Sequence, residues 1–171
     1  MLNIRQANGN DLHVLRKLAK ESYYAHFGHL WRDKTDMEEF LEKEFTLPTL
    51  EKSLQSREHL WLLACKDDKE LGYAKVSWDV AIPESTLSGA LLHKLYFLPD
   101  AVGSGHGKTL LCAIENYSRE HQQPCLWLEV LKINPRAQNF YSRCGMEIVG
   151  ETVFVSPSQN EGMWIMSKLL S

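Results

Sequence analysis

The segment Val102-Gly103-Ser104-Gly105-His106-Gly107-Lys108-Thr109 has a composition suited to binding phosphate. Glycines carry no side chain, so backbone N–H groups can approach an anion closely. Apolar residues at helical spacing follow the segment, at Leu110, Leu111, Ile114 and Tyr117. A helix beginning here would direct the positive end of its dipole at the same anion. The segment therefore predicts a phosphate site, but it does not by itself select the ligand.

Three phosphate-binding patterns nearly fit this segment. The nucleoside-triphosphate loop, G-x-x-x-x-G-K-[ST], ends correctly at Gly107-Lys108-Thr109 but has Val102 in place of its first glycine. The dinucleotide pattern, G-x-G-x-x-G, begins at Gly103 and fails at Lys108. The third pattern, Q/R-x-x-G-x-G/A, has both of its glycines and departs only at Val102. A glycine-rich helix start without a ligand is the remaining explanation.

A second segment with a recognisable spacing is Asn134-Pro135-Arg136-Ala137-Gln138-Asn139-Phe140-Tyr141-Ser142-Arg143-Cys144-Gly145-Met146. Local structure alone explains several of its residues. Asn134 suits a helix N-cap, Pro135 suits the first helical position, and Gly145 suits the residue that ends the helix. The segment predicts a short capped helix whether or not it also has a function.

Together, in this order, the two segments resemble the two signatures of the GCN5-related N-acetyltransferase (GNAT) superfamily. The first matches its acetyl-coenzyme A loop. The second matches N-x-x-A-x-x-F-Y-x-x-x-G-F, with Met146 at the last aromatic position. The resemblance is specific from about Leu91 to Met146 and covers the whole chain in the order of elements. It implies an α/β fold in a single domain, residues 1–171, with a mixed, mostly antiparallel sheet flanked by helices.

Hydrophobic periodicity supplies the elements of such a fold. Asn10 and Asp11 are expected to cap a helix that runs to about Gly28. A second helix should run from near Thr35 to Pro48, and Thr49 begins a third that ends at about residue 57. Further helices follow the glycine segment and Asn134. Strands are predicted over 2–6, 59–66, 71–78, 90–98, 125–131, 146–154 and 163–170, with the four residues 67–70 joining the second and third as a hairpin.

The resemblance implies acetyl-CoA as the cosubstrate and assigns the residues that hold it. The strands ALLHKLYFL and CLWLEVL would separate to admit the pantetheine arm, and backbone groups of Leu95, Tyr96 and Phe97 would bind it. Asn134 would contact the arm from the other side. The residues that would cradle the pyrophosphate are Gly103, Ser104, Gly105, His106, Gly107 and Lys108. A solvated lysine in the first turn of a helix is the alternative for Lys108.

Acetyl transfer needs a neutral amine, and an alkylammonium is mostly protonated at neutral pH, so a base must take its proton. By the resemblance, Glu129 is a candidate base, and an outward strand carboxylate is the alternative. His93 is a second candidate, because an ordinary histidine accepts a proton near neutrality, and a structural histidine in a strand is the alternative. Tyr141 matches the family's proton donor to the leaving thiolate, against the alternative of a core tyrosine. A backbone N–H near Phe97 would polarise the thioester carbonyl.

The N-terminal part of the chain resembles bacterial polyamine (spermidine/spermine) acetyltransferases. Its acidic helix face could attract a polycation, although a solvated helix face also explains it. The acids are Glu38, Glu39, Glu42 and Glu44, and the side chains expected at the acceptor mouth are Tyr23, Tyr24, His26 and Trp31. The acceptor is expected to be a small-molecule amine. A protein N-terminus or lysine, an amino acid or an aminoglycoside would fit the same donor chemistry.

The composition and charge of the chain argue against several other classes of protein. The chain has 171 residues and a formal net charge of -3 without a basic stripe, which argues against binding nucleic acid. Neither a leader nor a membrane span is predicted, so a cytoplasmic location is expected. The four cysteines are spaced singly, as reduced core residues are, and no metal site is predicted.

Two alternative functions and the oligomeric state stay open at the level of sequence. A non-catalytic acetyl-CoA sensor would explain the departures at Val102 and at Leu91, where such families often carry an acid. A nucleoside triphosphatase using Gly107-Lys108-Thr109 would require Mg²⁺ and a second acidic metal site. Pairing of the last strand, MWIMSKLL, would give a homodimer.

Overall fold

Seven strands form one sheet in the computed structural model, which describes residues Met1–Ser171. They lie in the order β1-β2-β3-β4-β5-β7-β6. The pairs β1–β2, β5–β7 and β6–β7 are antiparallel, and β4–β5 is parallel. The predicted mixed, mostly antiparallel sheet is thus confirmed. The strands are β1 (Asn3–Gln6), β2 (His59–Lys66), β3 (Lys69–Ala81), β4 (Ser88–Phe97), β5 (Cys125–Leu131), β6 (Glu147–Val155) and β7 (Asn160–Leu169).

Five helices accompany the sheet, each near its predicted position. They are α1 (Leu12–Phe27), α2 (Lys34–Glu44), α3 (Leu47–Gln55), α4 (His106–Glu120) and α5 (Pro135–Arg143). The predicted boundary between α2 and α3 at Pro48 is wrong. Pro48 lies in the first turn of α3, where its missing N–H leaves no hydrogen bond unmade, and the Thr46 side chain accepts from Thr49 N at 3.3 Å to cap that helix.

The start of α1 agrees with the prediction in position but differs in its cap. Asp11 stands at the N-cap position, and the capping side chain is that of Asn8, before a single 3-10 turn, Gly9–Asp11, that leads into the helix. Asn8 Oδ1 accepts from Asn10 N at 2.8 Å, and Asp11 Oδ2 accepts from Asn8 N at 2.9 Å. The Asp11 carboxylate also accepts two hydrogen bonds from the Arg5 guanidinium, at 2.7 and 2.8 Å. Asp11 therefore ties the end of β1 to the start of α1.

The hairpin between β2 and β3 is tighter than predicted. Two residues form the turn instead of four, Asp67 with φ 51° and Asp68 with φ 62°. Two successive left-handed residues are typical of the type I′ turn, whose twist matches that of antiparallel strands, and Asp tolerates this conformation better than most residues. Lys69 and Glu70 therefore belong to β3.

Residue contacts group the chain into two compact units. The first comprises Met1–Val76 and Lys94–Ala113, and the second comprises Ser77–His93 and Ile114–Ser171. In the first unit, helices α1 to α3 pack their apolar faces on β2 and β3 through Leu15, Leu18, Met37, Leu41, Phe45, Leu50, Trp61, Leu63 and Tyr73. In the second unit, a smaller core contains Ile82, Cys125, Trp127 and Ile165.

The cysteines follow the prediction only in part. Cys125 is buried, as expected of a core residue, and Cys65 and Cys144 are half-buried. Cys112 is exposed on α4, so its assignment to the core is wrong. A single apolar residue on a helix does not reveal which way it faces when its neighbours are mixed in polarity. No helix of the structure combines the length and the apolar character needed to cross a membrane.

Candidate active site

The glycine segment forms a loop that ends at the first turn of α4, in the first unit. Gly103 has φ 90° and Gly105 has φ 79°, both in the left-handed region, and nothing lies within 4 Å of a Cβ built on either one. These glycines are therefore required by backbone conformation, not by close contact. Every residue from Gly103 to Lys108 is exposed or half-buried. The loop is open to a ligand.

The N-terminus of α4 presents unpaired donors beside these glycines. The first N–H with a partner in the helix is that of Thr109, which donates to Gly105 O at 3.2 Å. The preceding N–H groups, of His106, Gly107 and Lys108, have no partner within the helix, as expected for a first turn. The positive end of the helix dipole lies at the same place. Free donors at the positive end of a helix suit an anion such as a phosphate.

The strand that precedes the loop is held firmly at Phe97. Its ring packs so closely on Gly72 that a Cβ there would lie 2.5 Å from Phe97 Cδ1. The Phe97 carbonyl accepts a hydrogen bond from His26 Nε2 at 2.7 Å, and Leu98 N donates to Leu71 O at 2.9 Å. The peptide group between Phe97 and Leu98 is thus fixed on both sides. His26, expected at the acceptor mouth, instead holds the end of β4.

The remaining predicted residues of β4 and the loop also belong to the first unit. Leu95 and Tyr96 are half-buried. The Tyr96 ring meets the Phe27 ring of α1 edge-on, with centroids 5.3 Å apart. The His106 ring lies 5.9 Å from the Phe97 ring, so its side chain packs against β4 while its backbone faces the loop.

Of the side chains expected at the acceptor mouth, Tyr23 and Trp31 lie together. Trp31 Nε1 donates to Tyr23 Oη at 3.2 Å, and burial raises the pKa of Tyr23 to about 12. Tyr24 is exposed. The four acids of α2 do not act alike. Glu42 pairs with Lys20 and Arg16 and Glu44 pairs with Lys94, whereas Glu38 and Glu39 are exposed.

The two candidate bases lie in the second unit. Glu129 is on β5 opposite Ile165 of β7, and its side chain is exposed. Surrounding atoms nevertheless remove part of its water, which raises the pKa of its carboxyl above the ordinary value. His93 is also exposed, and its Nε2 lies 2.7 Å from Ser77 Oγ. One ring nitrogen of His93 therefore already has a partner in the protein.

Asn134 and Tyr141 are carried by α5, also in the second unit. Asn134 is the N-cap of α5, as the capping explanation predicted, and its Oδ1 accepts from Ala137 N at 3.2 Å. The Tyr141 ring is half-buried against Phe140, with ring centroids 5.1 Å apart. Burial raises the pKa of the Tyr141 phenol, so it stays protonated at neutral pH. A protonated phenol is what a proton donor requires.

One contact near Tyr141 was not predicted from the sequence. Lys168 of β7 donates to Cys144 O at 3.1 Å, and it pairs with buried Glu115 of α4 at 2.5 Å. A cation at the C-terminal end of α5 complements its dipole and holds the helix in place. Nothing in the spacing of these three residues could have revealed the contact, because they lie on separate elements.

Comparisons with known proteins agree with this arrangement. The profile of the family described as "Acetyltransferase (GNAT) family" matches residues 13–146. A relative from Lactobacillus delbrueckii subsp. lactis, named as an uncharacterized N-acetyltransferase in the pepI 3' region, is 27% identical over 99% of this chain and 98% of its own length.

Solved structures share the fold. The PaiA N-acetyltransferase of Thermoplasma acidophilum, in complex with coenzyme A, has a TM-score of 0.80 at 22% identity and 99% coverage of both chains. The ribosomal-protein-S18-alanine N-acetyltransferase of Escherichia coli has a TM-score of 0.72 at 18% identity, covering 100% of this chain and 95% of its own. With the family match spanning most of the chain, this protein belongs to the GNAT family of N-acetyltransferases.

Proposed function

We propose that this protein transfers the acetyl group of acetyl-CoA to a small primary amine, with residues 1–171 acting as one domain. The observation that carries the proposal is the donor set at the start of α4. It combines two left-handed glycines with three unpaired N–H groups, at the place where the family binds a pyrophosphate. The coenzyme A complex of the Thermoplasma acidophilum structure supports the choice of ligand. A cytoplasmic location and a homodimer stay predictions.

The residues present fit acetyl-CoA. The loop from Gly103 to Lys108 would hold the pyrophosphate through backbone N–H groups, and the Lys108 ammonium would add an exposed positive charge. Backbone groups of Leu95, Tyr96 and Phe97 would hold the pantetheine, and the fixed peptide after Phe97 would keep them in place. Asn134 retains an amide N–H₂ group beyond its cap hydrogen bond, which suits its proposed contact with the same arm.

The cosubstrate supplies an activated acetyl thioester, and the protein supplies proton transfers. Glu129 would take a proton from the acceptor ammonium, directly or through water, because its raised pKa makes it a better base than an ordinary glutamate. The freed amine nitrogen forms a bond to the acetyl carbonyl carbon as the carbon–sulfur bond breaks. Tyr141 would give its phenolic proton to the departing sulfur, and the second proton that the nitrogen loses as the amide forms would return to the tyrosine through solvent. His93 is the second candidate base, with Ser77 orienting its ring.

The acceptor class is proposed from the sequence resemblance, which makes spermidine and spermine the first amines to test. Exposed Glu38 and Glu39 suit a polycation. Glu42 and Glu44 contribute less, because cations of the protein already neutralise them. Because only two of the four acids are left to attract a polycation, amines other than polyamines should be assayed as acceptors alongside spermidine and spermine.

The proposal is tested by titrating the protein calorimetrically with acetyl-CoA, with ATP plus Mg²⁺ and with NAD. Selective binding of acetyl-CoA is expected, followed by release of free thiol when an amine is added. A preference for ATP would instead support the triphosphatase, and acetyl-CoA binding without thiol release for any amine would support the sensor. Either result would overturn acetyl transfer.

A further inference from the structure

Three charged side chains form a partly buried row in the first unit. Lys75 lies on β3, Lys94 lies on the neighbouring strand β4, and Glu44 ends α2. Lys94 Nζ is 3.1 Å from Glu44 Oε1 and 5.1 Å from the centroid of the Phe45 ring, and its side chain is only 13% exposed. Lys75 is half-buried, with its Nζ 5.5 Å from the centroid of the Trp61 ring. We call Lys75, Lys94 and Glu44 the lysine row.

The lysine row has an unbalanced charge. It contains two ammonium groups and one carboxylate, and the carboxylate is within ion-pair distance of Lys94 only. Like charges on neighbouring strands repel each other, and charges removed from water are ordinarily paired. Burial and the positive charge of Lys94 lower the pKa of Lys75, although Glu44 acts in the opposite direction. The row is one negative charge short.

Other titratable groups around the row do not correct this imbalance. His59 lies close enough to Lys75 that the lysine, together with burial, lowers the pKa of the imidazole and favours its neutral form. Tyr23 is electrostatically coupled to Glu44, and its raised pKa of about 12 keeps it neutral. Neither supplies an anion.

We infer that Lys75 and Lys94 bind a carboxylate of the acceptor, so that the acceptor is an amine that also carries a carboxylate, as an amino acid does. The inference rests on the proposed acetyl transfer and names its substrate class, in place of the polyamines that the sequence resemblance suggests. A carboxylate carries one negative charge, which balances the net positive charge of the row. A phosphate with two negative charges would leave the row net negative beside the carboxylate of Glu44.

Two observations link the row to the acceptor. Lys94 directly precedes Leu95, Tyr96 and Phe97, the residues proposed to hold the pantetheine. Glu44 interacts with Tyr23, which with Trp31 belongs to the expected acceptor mouth. A diamino acid offers the lysines a carboxylate and still carries an amine that can be acetylated.

The test compares acceptors that differ only by a carboxylate. L-Lysine and cadaverine form one pair, and L-ornithine and putrescine form another. Binding of each to the CoA-loaded protein is measured calorimetrically, and kcat/KM is measured with acetyl-CoA. The variants are Lys75→Met, Lys75→Arg and, as a matched control, Lys66→Met, which removes the same charge from the exposed end of β2.

We expect wild-type protein to prefer each amino acid over its diamine by about tenfold or more in Kd and in kcat/KM. Lys75→Met should abolish that preference by weakening binding and turnover of the amino acids, and Lys75→Arg should retain it. Lys66→Met should match wild type. The inference would be overturned if the amino acids bind no better than their diamines, or if neither member of a pair binds. An unchanged preference in Lys75→Met would also overturn it. Selective binding without any acetylation would refute the proposed function and leave the carboxylate site standing.

Discussion

The proposed role of Tyr141, proton donation to the leaving thiolate, depends on its phenolic hydroxyl alone. Burial raises the pKa of its phenol further above neutrality, so the proton that it would donate is present at neutral pH. Replacing Tyr141 by Phe should lower kcat by about 10²-fold, because a positioned acid contributes at least that much. KM for acetyl-CoA and the thermal midpoint should change little, since only the hydroxyl is lost. A kcat within twofold of wild type would contradict the assignment, and Tyr117→Phe, on α4, is the control.

If Glu129 is the base, kcat should depend on pH in a direction that its raised pKa determines. A base must be ionised to act, and the raised pKa of Glu129 moves its ionisation above the pH at which an ordinary glutamate titrates. The value of kcat should therefore fall as pH drops from neutrality toward 5. In Glu129→Gln this acid limb should disappear, and the rate at pH 7 should fall by about 10²-fold. If Glu129→Gln keeps the wild-type profile and His93→Gln loses the limb, His93 is the base.

The loop before α4 is the element whose conformation matters most. An alanine at Gly105 would be forced into the left-handed region, which costs about 1–2 kcal/mol. Gly105→Ala should lower the free energy of unfolding by about that amount, measured by urea denaturation. It should also weaken acetyl-CoA binding by about tenfold, because the first-turn N–H groups shift. Gly9→Ala is the matched control, since that site has open space and no left-handed φ; equal effects of the two variants would refute the argument.

The junction of β1 and α1 should show a pH-dependent stability. Arg5 holds the pKa of the Asp11 carboxyl below its ordinary value. A lowered folded pKa gives stabilisation that is present above the unfolded pKa of about 4 and is lost as pH falls through the folded pKa. Asp11→Asn should therefore lower the free energy of unfolding at pH 7 by about 2 kcal/mol, and by much less near pH 3. Urea denaturation across this pH range measures the difference, which a constant deficit would contradict.

At the element scale, local patterns were reliable where the chain itself sets the structure. The capped helix α5 and the glycine loop follow from residues within a few positions of each other, and both are confirmed. The start of α1 was predicted, but its capping side chain was not, because Asp11 looks like a cap and instead completes the cap made by Asn8. The hairpin turn was predicted as four residues instead of two, because Asp67 and Asp68 lack the glycine that usually marks a two-residue turn.

For the whole molecule, the order of strands and helices sufficed to predict the fold, but contacts between distant residues were out of reach. His26 and Phe97 are 71 positions apart, and only the packing of α1 on the sheet brings them together. The same holds for Lys75 and Lys94, whose shared environment depends on the pairing of two strands. Sequence spacing was enough to propose the residues for acetyl-CoA, whereas the proposal that Lys75 and Lys94 bind the acceptor needed the structure.

The measurement that tests the account most directly is acetyl transfer itself. The purified protein would be incubated with acetyl-CoA and a panel of polyamines, diamines and amino acids, with mass spectrometry of the acceptor and detection of free CoA thiol. The account predicts an N-acetylated amine formed in equal amount with free CoA, and strongly reduced formation of both in Tyr141→Phe. Binding of acetyl-CoA with no acetylated product from any amine, or equal product from Tyr141→Phe, would contradict it.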